Sequence, residues 1–284
     1  MPELPEVEST RRILLPHLLG QRVTRVEVRR RDVIAGPKRP RDLLEGREIA
    51  DLRRRGKQLA LVGPGGRPGV IVQLGMTGSL TLAGPADRLA RDPHVHVVWE
   101  LGTGETFRFR DVRRFGGLRT FPDLRTLERE RWSRLGEDAL SISPARLHEK
   151  LGRTKRALKA ALLDQQLVAG LGNIYVDELL FACRLSPLMP AFEVTRPQAG
   201  QLTRQMKRIL RAAIDSGGST VRDFVGGGGA PGAFQLTHQV YGRAGLPCRL
   251  CGAELTATRI IGRTSVFCPD CQPLPRGKPA GNPQ

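Results

Sequence analysis

No apolar run in the 284 residues approaches the roughly 18 needed to cross a bilayer, so a membrane span is not expected. The opening MPELPEVEST lacks the basic and then apolar stretch of a secretory signal, and a cytosolic protein is the expectation. Internal repeats are absent. Acid is in short supply: 28 Asp and Glu stand against 46 Lys and Arg, a formal charge of +18. No single tail carries the excess, which divides into +8 over residues 1–130, +6 over 131–225 and +4 over 226–284. A detachable basic arm is thereby excluded, and an even spread suits a surface that meets a long polyanion at many points. With 39% hydrophobic and 26% charged residues, global disorder is excluded as well.

At roughly 150 residues per domain the length predicts two domains, with room for a small third. Residues 5–18 read as a helix, with Pro5 in its first turn, Glu6 and Glu8 near the positive end of its dipole, and Gly20 beyond its end. Five β-type runs follow: Val23–Val28, Leu59–Val62, Val70–Leu74, Val95–Leu101 and Thr106–Arg110, which predict a sandwich or a barrel. From about residue 144 the spacing becomes helical, as in Leu158, Leu162, Leu163 and later Leu202, Met206, Ile209 and Leu210. The predicted class is α+β. It comprises an N-terminal β-sandwich with its leading helix over 1–130, a helical domain over 131–225, a Gly-rich loop over 226–238, a zinc ribbon over 239–272 and a disordered tail over 273–284.

Cys248 and Cys251, then sixteen residues, then Cys268 and Cys271 match the spacing of a four-thiolate zinc site. Four thiolates leave zinc no open position, so one structural ion is expected. Between the pairs, Leu255, Ile260, Ile261, Val266 and Phe267 suit a β-hairpin. Cys183, in FACRL, reads as core filling.

Removal of Met1 before the small Pro2 would expose a secondary amine. An α-amino group titrates near pH 8, so a useful fraction is nucleophilic at neutrality. Attack on a sugar C1′ gives an iminium ion with no proton on nitrogen to lose, which acidifies the C2′ hydrogen and eases loss of the attached phosphate. Glu3 and Glu6 lie within one turn of that amine, placed for proton transfer. On composition alone, these acids would serve only the helix dipole.

Five segments, MPELPEVE, QLGMTGSL, RDVRRFGG, LLDQQLVAGLGNIYVDELLF and QVYGRAGLPCRLCG with GRTSVFCPDCQ, closely resemble the bacterial formamidopyrimidine-DNA glycosylase family, in family order from residue 1 to about 272. The resemblance implies a bifunctional base excision repair enzyme, a glycosylase and abasic-site lyase. It would remove 8-oxoguanine and formamidopyrimidines from double-stranded DNA and then cut the strand by β,δ-elimination. It further implies a monomer in the bacterial cytosol, near the nucleoid when acting. By the same resemblance Pro2 is the Schiff-base nucleophile, Glu3 the general acid, and Lys57 and Arg263 assist catalysis. Gln73, Met76, His94, Arg113, Phe115, Lys155, Asn173 and Arg263 are its DNA-binding set. Met76, Arg113 and Phe115 would fill the gap left by a flipped nucleotide. Asn173 is expected to cap a helix whose N-terminus holds a phosphate, with Lys155, Arg156 and Lys159 adding charge. The Gly226–Phe234 loop would close over the flipped base, and DNA would lie between the domains. Gln73 departs from the histidine common in the family and cannot become cationic. Two alternatives remain: the endonuclease VIII group, which prefers oxidised pyrimidines but opens Pro-Glu-Gly-Pro, and a non-catalytic zinc-ribbon DNA-binding protein.

Overall fold

Leu4–Leu18 forms α1, and Glu3 precedes it in extended conformation, its N–H donating to the Glu6 carboxylate at 2.7 Å. Val7, Leu14 and Leu18 recur at helical spacing and are buried. The computed structural model describes residues 2–84, 92–219 and 233–274. The expected loop over 226–238 lies outside the described residues up to 232, as does the expected tail beyond 274.

The first of two compact units takes the described residues up to 134 together with 213–219 and 233–235. Its strands are β1 (Val23–Val28), β2 (Ile34–Ala35), β3 (Asp51–Arg55), β4 (Gln58–Val62), β5 (Gly69–Gln73), β6 (Gly78–Ala83), β7 (Val95–Leu101), β8 (Thr106–Asp111) and β9 (Gly117–Phe121), followed by the helix α2 (Leu124–Glu130). They form a four-stranded sheet, β1-β7-β8-β6, and a five-stranded sheet, β2-β9-β5-β4-β3. Only β2–β9 is parallel among these pairs.

The alternation of each strand explains the packing between the sheets. Leu80, Val97, Trp99, Phe107 and Phe109 come from one sheet and Leu59, Leu61, Val70, Val72 and Leu118 from the other, and all share one core with α1. Trp99 stacks on Phe107 at 4.5 Å, and its indole N–H donates to the Leu43 carbonyl at 2.9 Å. Since Val70 and Val72 face this core, Ile71 and Gln73 project from the outer face of the five-stranded sheet.

The five strands expected from the sequence are present, and β2, β3, β6 and β9 join them. β3 reads DLRRR, which resembles a solvated charge run. As an edge strand it needs only Leu52 buried, and its arginines blunt the free edge. β6 and β9 each begin on a glycine that closes a turn, so they read as loop.

The second unit takes residues 135–212 and the described part of 236–284. It holds β10 (Glu137–Asp138), α3 (Pro144–Gly152), α4 (Leu158–Leu163), β11 (Val168–Ala169), α5 (Asn173–Ala182), most of α6 (Arg196–Asp215), and the hairpin β12 (Thr256–Ile260) and β13 (Arg263–Phe267). Leu202, Met206 and Leu210 lie on the buried face of α6. Phe181 of α5 packs with Val240, Leu255 and Val266, joining the helices to the hairpin through an apolar cluster. Among the described residues no helix is long and apolar enough to cross a membrane.

Candidate active site

Glu3 and Glu6 are buried to within 2% of full enclosure, at the start of α1 and beside the buried Pro2. Two enclosed carboxyl groups are expensive unless they receive hydrogen bonds. The Glu6 carboxylate receives two from the backbone, from Glu3 N–H at 2.7 Å and from Ser219 N–H at 2.8 Å. The neighbouring Gly218 sits at φ +86°, and a Cβ there would stand 2.9 Å from the Glu6 side chain, so the tight approach requires glycine. Glu6 thus fixes the residue that carries Glu3, a role beyond complementing the helix dipole.

At the turn between β3 and β4, Arg55 pairs with Gln58, leaving Gly56 and Lys57 as a two-residue loop. Gly56 takes φ +55°, as such hairpins require, and Lys57 is half-buried.

Met76 is 38% exposed and Phe115 58% exposed, so neither is a core residue. The Arg113 guanidinium lies over the Phe115 ring, 4.6 Å from its centroid. What brings these turns together is Asp111, fully buried at the end of β8. Its carboxylate accepts from the Thr77 hydroxyl at 2.5 Å, from Gly116 N–H at 2.7 Å and from Arg113 N–H at 3.3 Å. Its own N–H donates to the His94 carbonyl at 3.0 Å. One carboxylate therefore ties the Met76 turn to the Arg113–Phe115 loop, with His94 alongside. Asp111 stands within RDVRRFGG, yet its type and spacing carried no sign of this role.

In the second unit Asn173 is the first residue of α5, and the cap position belongs to Gly172. The expectation that Asn173 caps the helix is corrected: its Nδ2 donates to the Thr264 carbonyl of β13 at 2.9 Å. Lys159 also departs from expectation. It is fully buried, its ammonium 2.6 Å from Asp177 and 3.1 Å from the Thr264 carbonyl, so it holds the hairpin and faces no phosphate. Burial pushes the Asp177 carboxyl up to about 6 against the pull of Lys159, while Val266 N–H and the Ser265 hydroxyl also donate to it. Arg156 is paired with Asp164 at 2.9 Å, and Lys155 is exposed. Arg263 is exposed at the start of β13, beside the Thr264 that both Asn173 and Lys159 grip. Glu178, which the sequence gave no reason to single out, accepts from the backbone N–H groups of Gln239, Val240 and Tyr241 at 2.9 to 3.0 Å.

The four cysteine sulfurs lie within 4.8 Å of one another. Cys248 and Cys271 are 4.0 Å apart and Cys251 and Cys268 3.5 Å, far longer than a disulfide of about 2.05 Å and near the ~3.8 Å edge of a tetrahedron with 2.3 Å Zn–S bonds. Leu250 N–H donates to Cys248 and Cys271 N–H to Cys268, each at 3.4 Å, which supports negative sulfur. The donor set fits one structural zinc. Burial pushes the Cys183 thiol up to about 12, as suits an inert core cysteine.

Three family models match the chain: the formamidopyrimidine-DNA glycosylase N-terminal domain over residues 1–118, the formamidopyrimidine-DNA glycosylase H2TH domain over 135–225, and a zinc finger found in FPG and IleRS over 245–274. A formamidopyrimidine-DNA glycosylase of Pseudomonas paraeruginosa is 43% identical over 277 residues, covering 96% of this chain and 100% of that protein. One from Geobacillus kaustophilus is 40% identical over the same shares. Among solved structures, the MutM (Fpg) protein of Thermus thermophilus is similar with a TM-score of 0.84 at 41% identity, covering 96% of this chain and all of that one. A Lactococcus lactis Fpg variant, solved in complex with Fapy-dG-containing DNA, has a TM-score of 0.87 at 32% identity with the same coverage.

Proposed function

The chain belongs to the formamidopyrimidine-DNA glycosylase family, and from that premise we propose that it removes oxidised purines through a covalent intermediate on Pro2. It is a base excision repair enzyme with glycosylase and abasic-site lyase activity, acting on damaged DNA and carrying one structural zinc. The observation that supports the residue assignment is the enclosed Glu3–Glu6 pair beside Pro2, in which Glu6 holds the Glu3 backbone and Glu3 stands next to the amine in the chain.

The proposed course is as follows. The neutral Pro2 nitrogen attacks C1′ of the damaged nucleotide, the bond from C1′ to the base breaks with its electron pair leaving on the base, and the proton that the nitrogen sheds passes to that base. Glu3 gives a proton to the ring oxygen as the ring opens, and the nitrogen becomes an iminium. A base removes the C2′ proton, and the electrons expel the 3′ phosphate. A second elimination expels the 5′ phosphate, with Lys57 and Arg263 as the cations beside the departing groups. Glu6 keeps Glu3 in place by its bond to the Glu3 backbone. Met76, Arg113 and Phe115 occupy the vacancy in the duplex, and their exposure supports that use. Lys155, Asn173, His94 and Gln73 complete the contacts to DNA. The cytosol of a bacterium, close to the nucleoid, is the proposed location.

Borohydride should trap a covalent adduct with an 8-oxoguanine duplex, Pro2→Gly should reduce trapping at least tenfold, and intact mass should show loss of Met1. An adduct that forms equally well with Pro2→Gly would refute the nucleophile. Preferential trapping on thymine glycol would transfer the chain to the pyrimidine-directed group.

A further inference from the structure

The outer face of the five-stranded sheet places two arginines without an assigned role, Arg119 and Arg131, beside Gln73 and the Arg113–Phe115 loop. Ile71 forms a floor, and Gln73 and Arg119 flank it on the same face, because β5 and β9 pair Ile71 with Arg119 and Gln73 with Gly117. A cleft of about 580 Å³ opens here, lined by Gln73, Arg113, Phe115, Arg119 and Arg131. Asp32 also reaches the cleft but is held by Arg30 at 3.2 Å and Arg114 at 2.9 Å.

Hydrogen bonding fixes the orientation of Gln73 from both ends. The Trp132 indole N–H, which can only donate, gives to Gln58 Oε1 at 3.2 Å. Gln58 is buried, so its Nε2 must face the other way, and it reaches Gln73 Oε1 at 3.5 Å. The Arg131 guanidinium, also donor only, gives to the same Gln73 oxygen at 3.2 Å. Both lone pairs of Gln73 Oε1 are engaged, which leaves Gln73 Nε2 as the group offered to the cleft. Arg131 is partly desolvated, and the charges acting on it, those of Arg119 and Arg134, share its sign and weaken its hold on its proton. A polar relay anchored on a buried glutamine and a tryptophan thus assembles donors and like charges before any ligand arrives. That arrangement costs free energy in the free protein and is repaid by an anion.

We propose that Gln73, Arg131 and Arg119 form a preassembled site for a backbone phosphodiester of DNA, next to the Phe115 and Arg113 loop, with Trp132 and Gln58 as the positioning residues that aim Gln73. The inference rests on the DNA-repair reading and adds Arg131 and Arg119 to the residues that read the phosphate path. The Arg131 charge acts through Gln73, so an uncharged amide at position 73 is no loss of cationic character at this site.

The test measures affinity for a duplex carrying a tetrahydrofuran abasic analogue between 50 and 200 mM salt. Arg131→Gln should lower the slope of log affinity against log salt by about 0.9, which changes the ratio of wild-type to variant affinity roughly threefold across that range. Arg119→Gln should act in the same direction, and Gln73→Glu should weaken binding further by placing an acceptor where a donor is needed. Arg25→Gln removes an equal charge from β1, where Arg25 pairs with Glu100 at 3.3 Å, and should leave the slope unchanged. An unaltered slope in Arg131→Gln, with an unaltered melting temperature, overturns the site. A slope change equal to that of Arg25→Gln does so too, since it reports net charge alone. If the wild type is trapped by borohydride while Arg131→Gln behaves as wild type, only this inference fails. If the wild type neither binds nor is trapped, the repair reading fails with it.

Discussion

Glu8 shows how a single buried acid is kept charged. It is 7% exposed, and Arg11, Arg54 and Arg12 reach its carboxylate at 2.8, 2.9 and 3.3 Å. Burial alone would raise its pKa, but the guanidinium bonds outweigh it and the group titrates below its ordinary 4.5. A carboxyl depressed on folding contributes stability that is present above its unfolded pKa and is lost as pH falls through the folded value. Stability should therefore drop below about pH 4.5 in the wild type and drop less in Glu8→Gln, which at pH 7 should itself cost about 2 kcal/mol. Urea titrations of both proteins at pH 7 and pH 3.5 would show this, and parallel losses would remove Glu8 from the account. Lys159 follows the opposite logic. Lys159→Met leaves Asp177 enclosed without its cation, and a loss of about 3–5 kcal/mol is expected by denaturant unfolding, against less than 1 kcal/mol for a surface lysine such as Lys155→Met.

The turns and the hairpin hold the side chains proposed to meet DNA, so element-scale changes should disturb function before they disturb the sandwich core. Gly75 sits at φ +65° between β5 and β6, and a Cβ there would come within 2.2 Å of Gly116 N. Gly75→Ala should push the Met76 turn away from the Arg113–Phe115 loop. Binding to damaged duplex should fall at least tenfold, while the melting temperature, which reports the core, changes little. Unchanged binding would mean that the two turns do not act together. In the other unit, Cys268→Ser or chelation of zinc should loosen β12 and β13 and free Arg263, with lower affinity and fewer protected amides over 239–272. These elements also mark what could be read in advance. The cysteine spacing announced its hairpin because metal ligation is local in sequence, and the buried runs of β4, β5 and β7 announced themselves by composition. β3 was hidden because an edge strand can be rich in arginine. Asp111, Glu178 and the placement of Lys159 were hidden because each acts through partners set by the tertiary fold. Asn173 was assigned a local cap, whereas a distant carbonyl, that of Thr264, claims its amide.

Across the whole chain, the +18 charge acquires a physical division of labour. Many arginines are spent on neighbouring acids, as in Arg146 with Glu137, Arg39 with Asp42 and Arg53 with Asp51, and these lend little to a polyanion beyond the general field. The candidates for phosphate contact fall in both units: Lys57, Arg119 and Arg131 in the first, Lys155 and Arg263 in the second. Five such cations imply a slope of log affinity against log salt of about −4.5, or a loss of roughly five-hundredfold between 50 and 200 mM. Lesion choice must come from other groups, since phosphates are alike beside damaged and intact bases. Undamaged duplex and 8-oxoguanine duplex should accordingly lose affinity in parallel as salt rises, in a Pro2→Gly background that slows turnover, with a constant ratio between them. A ratio that shrinks with salt would mean that part of the discrimination is electrostatic. The proposed division between a charged path that holds DNA and an enclosed proline amine that performs the chemistry would then have to be redrawn.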